Sequence, residues 1–401
     1  MGIFKRYETV GIKQETHFNR QDTGIMMKVH TIAFGMLSTI AAATAQAAPV
    51  CSTAELFAGN PSYEDPMDRA SDGQGLLDNP PLAWRSLILI DDKLVTHVGQ
   101  EIWYTDLKER KPVVKRLAGR EDRTGRSIKP GTCPYARFAN IHGIAVNSSG
   151  NIVGADQTGN NIFSIKDPFG ANCTVTFLAG STKAIESISP GNPPNVGDID
   201  GPGASARFGL VTWPAIVADN IYFIDEHHRK LKRVTNDSDN TVKTIATLPE
   251  GVYYALVGLK DRLYTVGNSM SEGFIIEIEP ETGAMKDIVR GRSPTFGGQA
   301  GKSLDISGLA TDGKGLFTSN RGQLLYVTIE GKITSIAGDG TTFEFRRPYD
   351  PTRPQKADSV QLVASRRTAT AGSNVFLAYK DNAVYYSATA PTSYIERIAC
   401  K

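Results

Sequence analysis

The chain has 401 residues, 40% of them hydrophobic and 21% charged, with 44 basic against 42 acidic side chains. This is the composition of a soluble globular protein with enough apolar residues for a sizeable core, and no segment of the mature chain is long and apolar enough to span a membrane. The balanced charge argues against nucleic acid as a partner, because a polyanion favours a basic excess or patch.

Residues 27–47 follow the pattern of a secretory signal peptide: Lys28 supplies a short basic region, an apolar run extends from Thr31 to Thr44, and Ala45 and Ala47 flank Gln46 as an Ala-x-Ala cleavage site. Residues 1–26 are polar and mixed in charge, and read as an extension upstream of a true start at Met26 or Met27. Residues 1–47 hold five basic and three acidic residues, so the mature chain carries 39 of each and no net charge. A periplasmic or secreted protein is expected. Cys51, Cys133, Cys173 and Cys400 all lie beyond the cleavage site and would meet an oxidising compartment. Four cysteines allow three pairings. Cys51 and Cys400 stand near the two ends of the mature chain, where a bond would staple a closed ring; this is the first choice, and it leaves Cys133 with Cys173. One objection meets the second pair, since a loop leading into a blade and that blade's outer strand start on opposite faces. Val50 stands where a lipoprotein signal needs a small residue, which sets lipidation of Cys51 aside.

Residues 48–83 are rich in Gly, Asn, Asp and Pro and read as an irregular leader. Strand patterning starts at Trp84, with the runs RSLILID, KLVTHVG, EIWYTDL and VVKRLAG making one four-stranded unit. A second unit opens at Ala136-Arg137-Phe138 and ends at Gly180, and a third opens at Ala206-Arg207-Phe208. A fourth covers 252–291, a fifth 306–340 and a sixth 366–400, with its first strand expected near 366–371. Three fourth strands end alike, as RLAG at Gly119, FLAG at Gly180 and SIAG at Gly338. Recurrence at variable spacing marks a radial array, so residues 84–401 are expected to form one all-β domain, a propeller of about six four-stranded antiparallel blades. The long insertions 119–135, 180–205, 291–303 and 338–364 all fall between the last strand of one blade and the first of the next. They therefore crowd one face, and binding is expected there.

The segments LAG, DGPGASARF, GIAV, GNI and AD, followed by His228-Arg229-Lys230-Leu231-Lys232, resemble the NHL repeat, closely over 119–234 and recognisably over 304–340. The resemblance implies a β-propeller of exported bacterial type that serves as a binding or scaffolding module for a protein, peptide or glycan, as a monomer and without a cofactor. The alternative is a propeller lyase or hydrolase with a divalent metal at the central channel. The His142-Gly143-Ile144 sequence is similar to the H-G-I of virginiamycin B lyase-like propellers, which makes His142 the catalytic candidate.

Candidate binding residues follow from position. His142 and Trp213 open innermost strands at the channel mouth. Arg346 and Arg347, interleaved with Phe345 and Tyr349, would join Arg120, Arg123, Arg126 and Arg353 in a basic, aromatic patch suited to an anionic ligand. Asp198 and Asp200 alternate as in the first half of a calcium loop, although the later Glu of that motif is missing. His227 and His228 are neighbours in sequence and point to opposite faces, so one metal cannot take both. No nucleophile elbow, H-E-x-x-H, phosphate loop or C-x-x-C is present.

Overall fold

The computed structural model describes residues 47–59, 85–119, 126–188, 194–269, 272–291, 304–320, 322–340, 354–360, 362, 375–388 and 394–401, all within one compact unit, Gln46–Lys401. Residues 60–83 of the expected leader, the signal segment up to residue 46 and most of the Arg and aromatic patch lie outside these residues, the last including Arg120, Arg123, Phe345, Arg346, Arg347, Tyr349 and Arg353.

The chain forms β1 (Cys51–Gly59) first, then a blade of β2 (Arg85–Ile90), β3 (Lys93–Val98), β4 (Glu101–Asp106) and β5 (Lys115–Ala118). Two short strands, β6 (Arg126–Ile128) and β7 (Gly131–Thr132), precede the second blade of β8 (Ile141–Val146), β9 (Ile152–Asp156), β10 (Asn161–Lys166) and β11 (Thr174–Gly180). After β12 (Ile185–Ile188) comes the third blade, β13 (Val211–Val217), β14 (Asn220–Asp225), β15 (Lys230–Val234) and β16 (Val242–Thr247). The fourth holds β17 (Val252–Leu259), β18 (Arg262–Ser269), β19 (Glu272–Ile278) and β20 (Met285–Gly291), and the fifth β21 (Ile306–Thr311), β22 (Leu316–Asn320), β23 (Gln323–Val327) and β24 (Ile333–Ala337). Last come β25 (Gln355–Lys356), β26 (Val375–Lys380), β27 (Ala383–Ala388) and β28 (Tyr394–Cys400). The fold is a six-bladed β-propeller of antiparallel blades. Its innermost strands β2, β8, β13, β17, β21 and β26 touch in that order, and β26 returns to β2.

Local chemistry explains the blades. Each hairpin after an innermost strand carries a residue with left-handed backbone, from Asp91, Gly150, Asp219, Lys260 and Gly313 to Asn382, as tight two-strand turns require. The recurrent LAG endings have a steric cause. Gly119, Gly180 and Gly338 have φ of 87°, 85° and 88°, and a Cβ at each would meet a carbonyl oxygen at 2.2–2.3 Å. The ring of Phe138 or Phe208, from the Ala-Arg-Phe leading into the next blade, packs against the first two of these glycines. The preceding Ala118, Ala179 and Ala337 are buried. Buried apolar clusters fill the spaces between blades.

The sixth blade departs from expectation. Its innermost strand is β26, at Val375–Lys380 rather than near 366–371, which lie outside the described residues. Its fourth strand is β1, from the amino end: the sheet order is β25-β1-β28-β27-β26. The segment expected to be irregular from residue 48 thus opens with a nine-residue strand that closes the ring. Leu56-Phe57-Ala58-Gly59 ends this strand as RLAG and FLAG end theirs, with Ala58 fully buried.

Both disulfides pair as expected, Cys51 with Cys400 beside the β1–β28 ladder and Cys133 with Cys173. The objection to the second bond disappears because β7 adds a fifth strand outside β11, Thr132 opposite Thr174, and the Cys133 N–H donates to the Cys173 carbonyl at 3.1 Å.

Candidate functional site

In a four-stranded antiparallel blade, the segment leading into the first strand and the turn between the second and third lie on one face of the ring; the other two hairpins lie on the opposite face. The lead-in face therefore gathers His142, Trp213, the Glu226–Arg229 turn and the long inter-blade segments. Two of those segments pair with each other, β6 with β12, through Ile128 opposite Ile185.

In the second, third and fifth blades an acid or amide at the end of the second strand ties the lead-in segment down. Asp156, fully buried, accepts N–H bonds from Ala139, Asn140 and Gly159 at 2.7, 2.8 and 2.9 Å. Burial pushes its carboxyl up against the pull of those donors. Asp225 accepts from Gly209 N–H at 3.1 Å, and Asn320 Oδ1 from Asp305 N–H at 2.9 Å. The His228 ring places Nδ1 2.9 Å from Asp225 Oδ2, while His227 is exposed and packs edge-on against His228. The two histidines do not converge on one ion. They belong to the turn.

Asp198 and Asp200 are engaged as well. The buried Lys232 ammonium lies 2.9 Å from Asp198 Oδ1, 2.7 Å from Asp200 Oδ1 and 2.9 Å from Thr244 Oγ1, and Lys230 pairs with Asp198. Burial alone would raise the Asp198 carboxyl, but the bonds to Lys230 and Lys232 outweigh it and hold it at about 2. Asp198, Asp225 and His228 offer ligand atoms within 4.8 Å of one another, the one such group among the described residues. The Asp198 carboxylate already faces two ammonium groups, the Asp225 carboxylate faces backbone N–H groups, and His228 Nδ1 faces Asp225. Asp198 and Asp200 thus hold the Lys232 ammonium between them.

The channel mouth is closed by aromatic rings. Trp213 is buried, its indole N–H donates to the Tyr253 carbonyl at 3.0 Å, and its ring meets Phe376 of the diametrically opposite blade at 6.1 Å between centroids. The half-buried His142 ring stands edge-on to the indole at 4.8 Å. Trp213 thus lies as a bolt across the channel rather than as an exposed contact. Its backbone φ of 51° is left-handed, at a bulge in the first strand where Ser86 and Gly308 are left-handed in other blades. A bulky residue there is strained, and such strain persists only where surrounding contacts hold it.

Beside Trp213 lies a group that the sequence did not mark. Glu226 accepts the Thr212 hydroxyl at 3.2 Å. Burial lifts its carboxyl to about 7, against hydrogen bonds from Thr212 and Trp213 and with help from the Asp225 charge. Of two adjacent acidic residues in a turn, the sequence carries no signal of which one lies against Trp213.

Beyond Trp213 the channel is a cavity of about 310 Å³ lined by all six innermost strands, with neither a carboxylate nor an imidazole among its lining residues. A divalent metal needs several converging oxygen or nitrogen ligands. The expected pairing of such a metal with His142 finds no ligand set in this cavity. On the lead-in face Arg126 is exposed and donates to Thr158 Oγ1 at 3.3 Å.

No family model and no curated protein matches the sequence. Solved structures do share the fold. A structural genomics protein of unknown function from Bacteroides thetaiotaomicron VPI-5482 superposes with a TM-score of 0.58 at 10% identity, over 87% of this chain and 76% of its own. An auxiliary nutrient binding protein from Bacteroides ovatus ATCC 8483 reaches 0.54 at 12% identity, over 88% and 77%. A second auxiliary nutrient binding protein, from Bacteroides thetaiotaomicron VPI-5482, reaches 0.51 at 10% identity, over 87% and 76%. At these identities the likeness is one of fold, and the chain is similar to β-propellers that include nutrient binding proteins.

Proposed function

We propose that the protein is an exported, NHL-type propeller, periplasmic or secreted, that works as a binding module and holds a protein, peptide or glycan on its lead-in face. The observation that carries this reading is where exposed apolar side chains fall. Among the described residues six large apolar side chains are exposed: Tyr135, Val196, Ile199, Leu210 and Val252, at 71%, 48%, 54%, 37% and 58%, stand in a lead-in segment or open an innermost strand, and Val50, at 73%, stands apart from them just ahead of β1. Exposed apolar side chains gathered on one face of a soluble protein mark interaction surfaces. The two disulfides support export, since such bonds persist in oxidising compartments. The similar hairpins Lys129–Arg137 and Ile199–Arg207 support the NHL assignment. The nutrient binding proteins of like fold are compatible with a binding role.

Glycan and peptide arrays probed with the purified protein and with an Ile199→Ser/Val252→Ser variant test the reading. Specific binding that weakens in the variant is expected. Binding of equal strength in both would remove the lead-in face from the proposal, and no specific binding at all would remove the module. Fractionation of expressing cells, with sequencing of the amino terminus, checks export, for which a chain starting at Ala48 outside the cytoplasm is expected.

A further inference from the structure

Trp213 and Phe376 divide the channel. On the lead-in side stand His142 and Glu226; on the other side lies the 310 Å³ cavity, within the range of about 300–1,000 Å³ common to small-molecule sites. Burial along the lining strands shows which way the cavity opens. In every blade the lining passes from buried to half-buried towards the hairpin end: Leu87 to Leu89, Ile144 to Val146, Ala215 to Ile216, Leu256 to Val257, Ala310 to Thr311, and Phe376 to Tyr379. Ser86 and Tyr254, nearer the other end, are also half-buried. The cavity is therefore a cup whose floor is aromatic and whose mouth is on the hairpin face, opposite the lead-in loops.

Its chemistry limits the occupant. No charged side chain lines it, so a charged ligand would lose hydration without compensation. Each innermost strand is paired on one side only, so its free edge offers N–H and C=O groups towards the axis. An indole and a phenyl ring at the floor favour an aromatic guest stacked or edge-on. We infer that this cup binds one small, uncharged, flat apolar molecule, an aromatic or fused-ring compound, with its ring against Trp213 and any single polar group on a strand edge. The site is separate from the lead-in face and stands or falls independently of the role proposed for that face.

The probe is N-phenyl-1-naphthylamine, neutral and aromatic, titrated into the purified full-length protein labelled with 5-fluorotryptophan. The chain has three tryptophans, and Trp213→Phe identifies which ¹⁹F resonance is Trp213. Saturable binding of one probe per chain is expected, with the Trp213 resonance moving and those of Trp84 and Trp103 staying in place. Ala145→Leu and Ala145→Trp push bulk into the cup from the second blade, and each should weaken the probe by about tenfold or more at an unchanged unfolding midpoint. Absence of saturable binding overturns the inference, as does equal binding by a folded Ala145 variant. If neither variant folds, the resonances of the wild-type protein decide, and a probe that moves only Trp84 or Trp103 overturns it.

Discussion

The ammonium of Lys232, with no exposed surface of its own, sits 2.7 Å from Asp200 Oδ1 and 2.9 Å from Asp198 Oδ1, where a loop cation would sit. The two sides of this cluster are unequal, because the aspartates are partly exposed and the lysine is not. Replacing both acids, Asp198→Asn with Asp200→Asn, strands a buried charge and should cost about 3–5 kcal/mol in urea unfolding. Lys232→Met leaves carboxylates that water can reach and should cost much less. The Asp198 carboxyl is held below its usual value of 3.8, so its contribution is complete above that pH and is lost as pH falls towards about 2. Chelator or added calcium should leave the unfolding midpoint of the wild-type protein unmoved.

Glu226 has the opposite sign. Burial raises its carboxyl from 4.5 to about 7, so the folded state holds a proton that the unfolded chain releases between those values. Its contribution is complete below 4.5, declines as pH rises, and by about pH 7 is lost, a change of roughly 3 kcal/mol at most. Glu226→Gln keeps an acceptor for Thr212 and cannot ionise. Stability curves of the wild-type protein and Glu226→Gln, measured from pH 4 to 8, should separate as pH rises, with the variant the more stable at pH 8.

At Trp213 the usual order of two substitutions should reverse. Both Trp213→Ala and Trp213→Gly lose the ring and should destabilise by about 3–5 kcal/mol. Alanine keeps the cost of a Cβ at φ 51°, whereas glycine does not. Trp213→Gly should therefore be the milder change by about 1 kcal/mol, although glycine inside a strand is ordinarily the worse residue.

The two disulfides should fail in different places. Cys51 and Cys400 are separated by 349 positions and Cys133 and Cys173 by 40, for which loop-closure entropy assigns about 6 and about 4 kcal/mol. Hydrogen exchange in Cys51→Ala/Cys400→Ala should quicken first over β1. In Cys133→Ala/Cys173→Ala it should quicken over β7 and the start of β11 and leave β1 protected.

Five of the blades were legible because each writes its four strands consecutively with turn residues between, and three of them close on a steric glycine. The sixth was only half legible, since its outer strand comes from the other end of the chain and no local pattern names a partner so remote. A clue did exist in Leu56-Phe57-Ala58-Gly59, which repeats the ending of RLAG and FLAG ahead of the first blade. His142 and Trp213 open neighbouring innermost strands, and their rings meet edge-on. The bolt that Trp213 forms with Phe376 was not legible, because Phe376 comes from the opposite side of the ring. The roles of Asp198 and Asp200 depended on Lys232, a residue whose type alone suggests solvent exposure.

The strand that completes the ring is made first and its partner last. Until β28 exists, the edge of β1 that it will cover stays open, the kind of surface that recruits foreign strands. Contacts this remote in sequence place much of the loop-closure cost late in folding and slow it. A nascent or truncated chain lacking its final residues can stack five blades, yet it must wait with both sides of the gap open. The Cys51–Cys400 bond then records completion, for the two thiols meet only once the propeller has closed, and the rate at which they oxidise is a clock for the assembly of the whole circle.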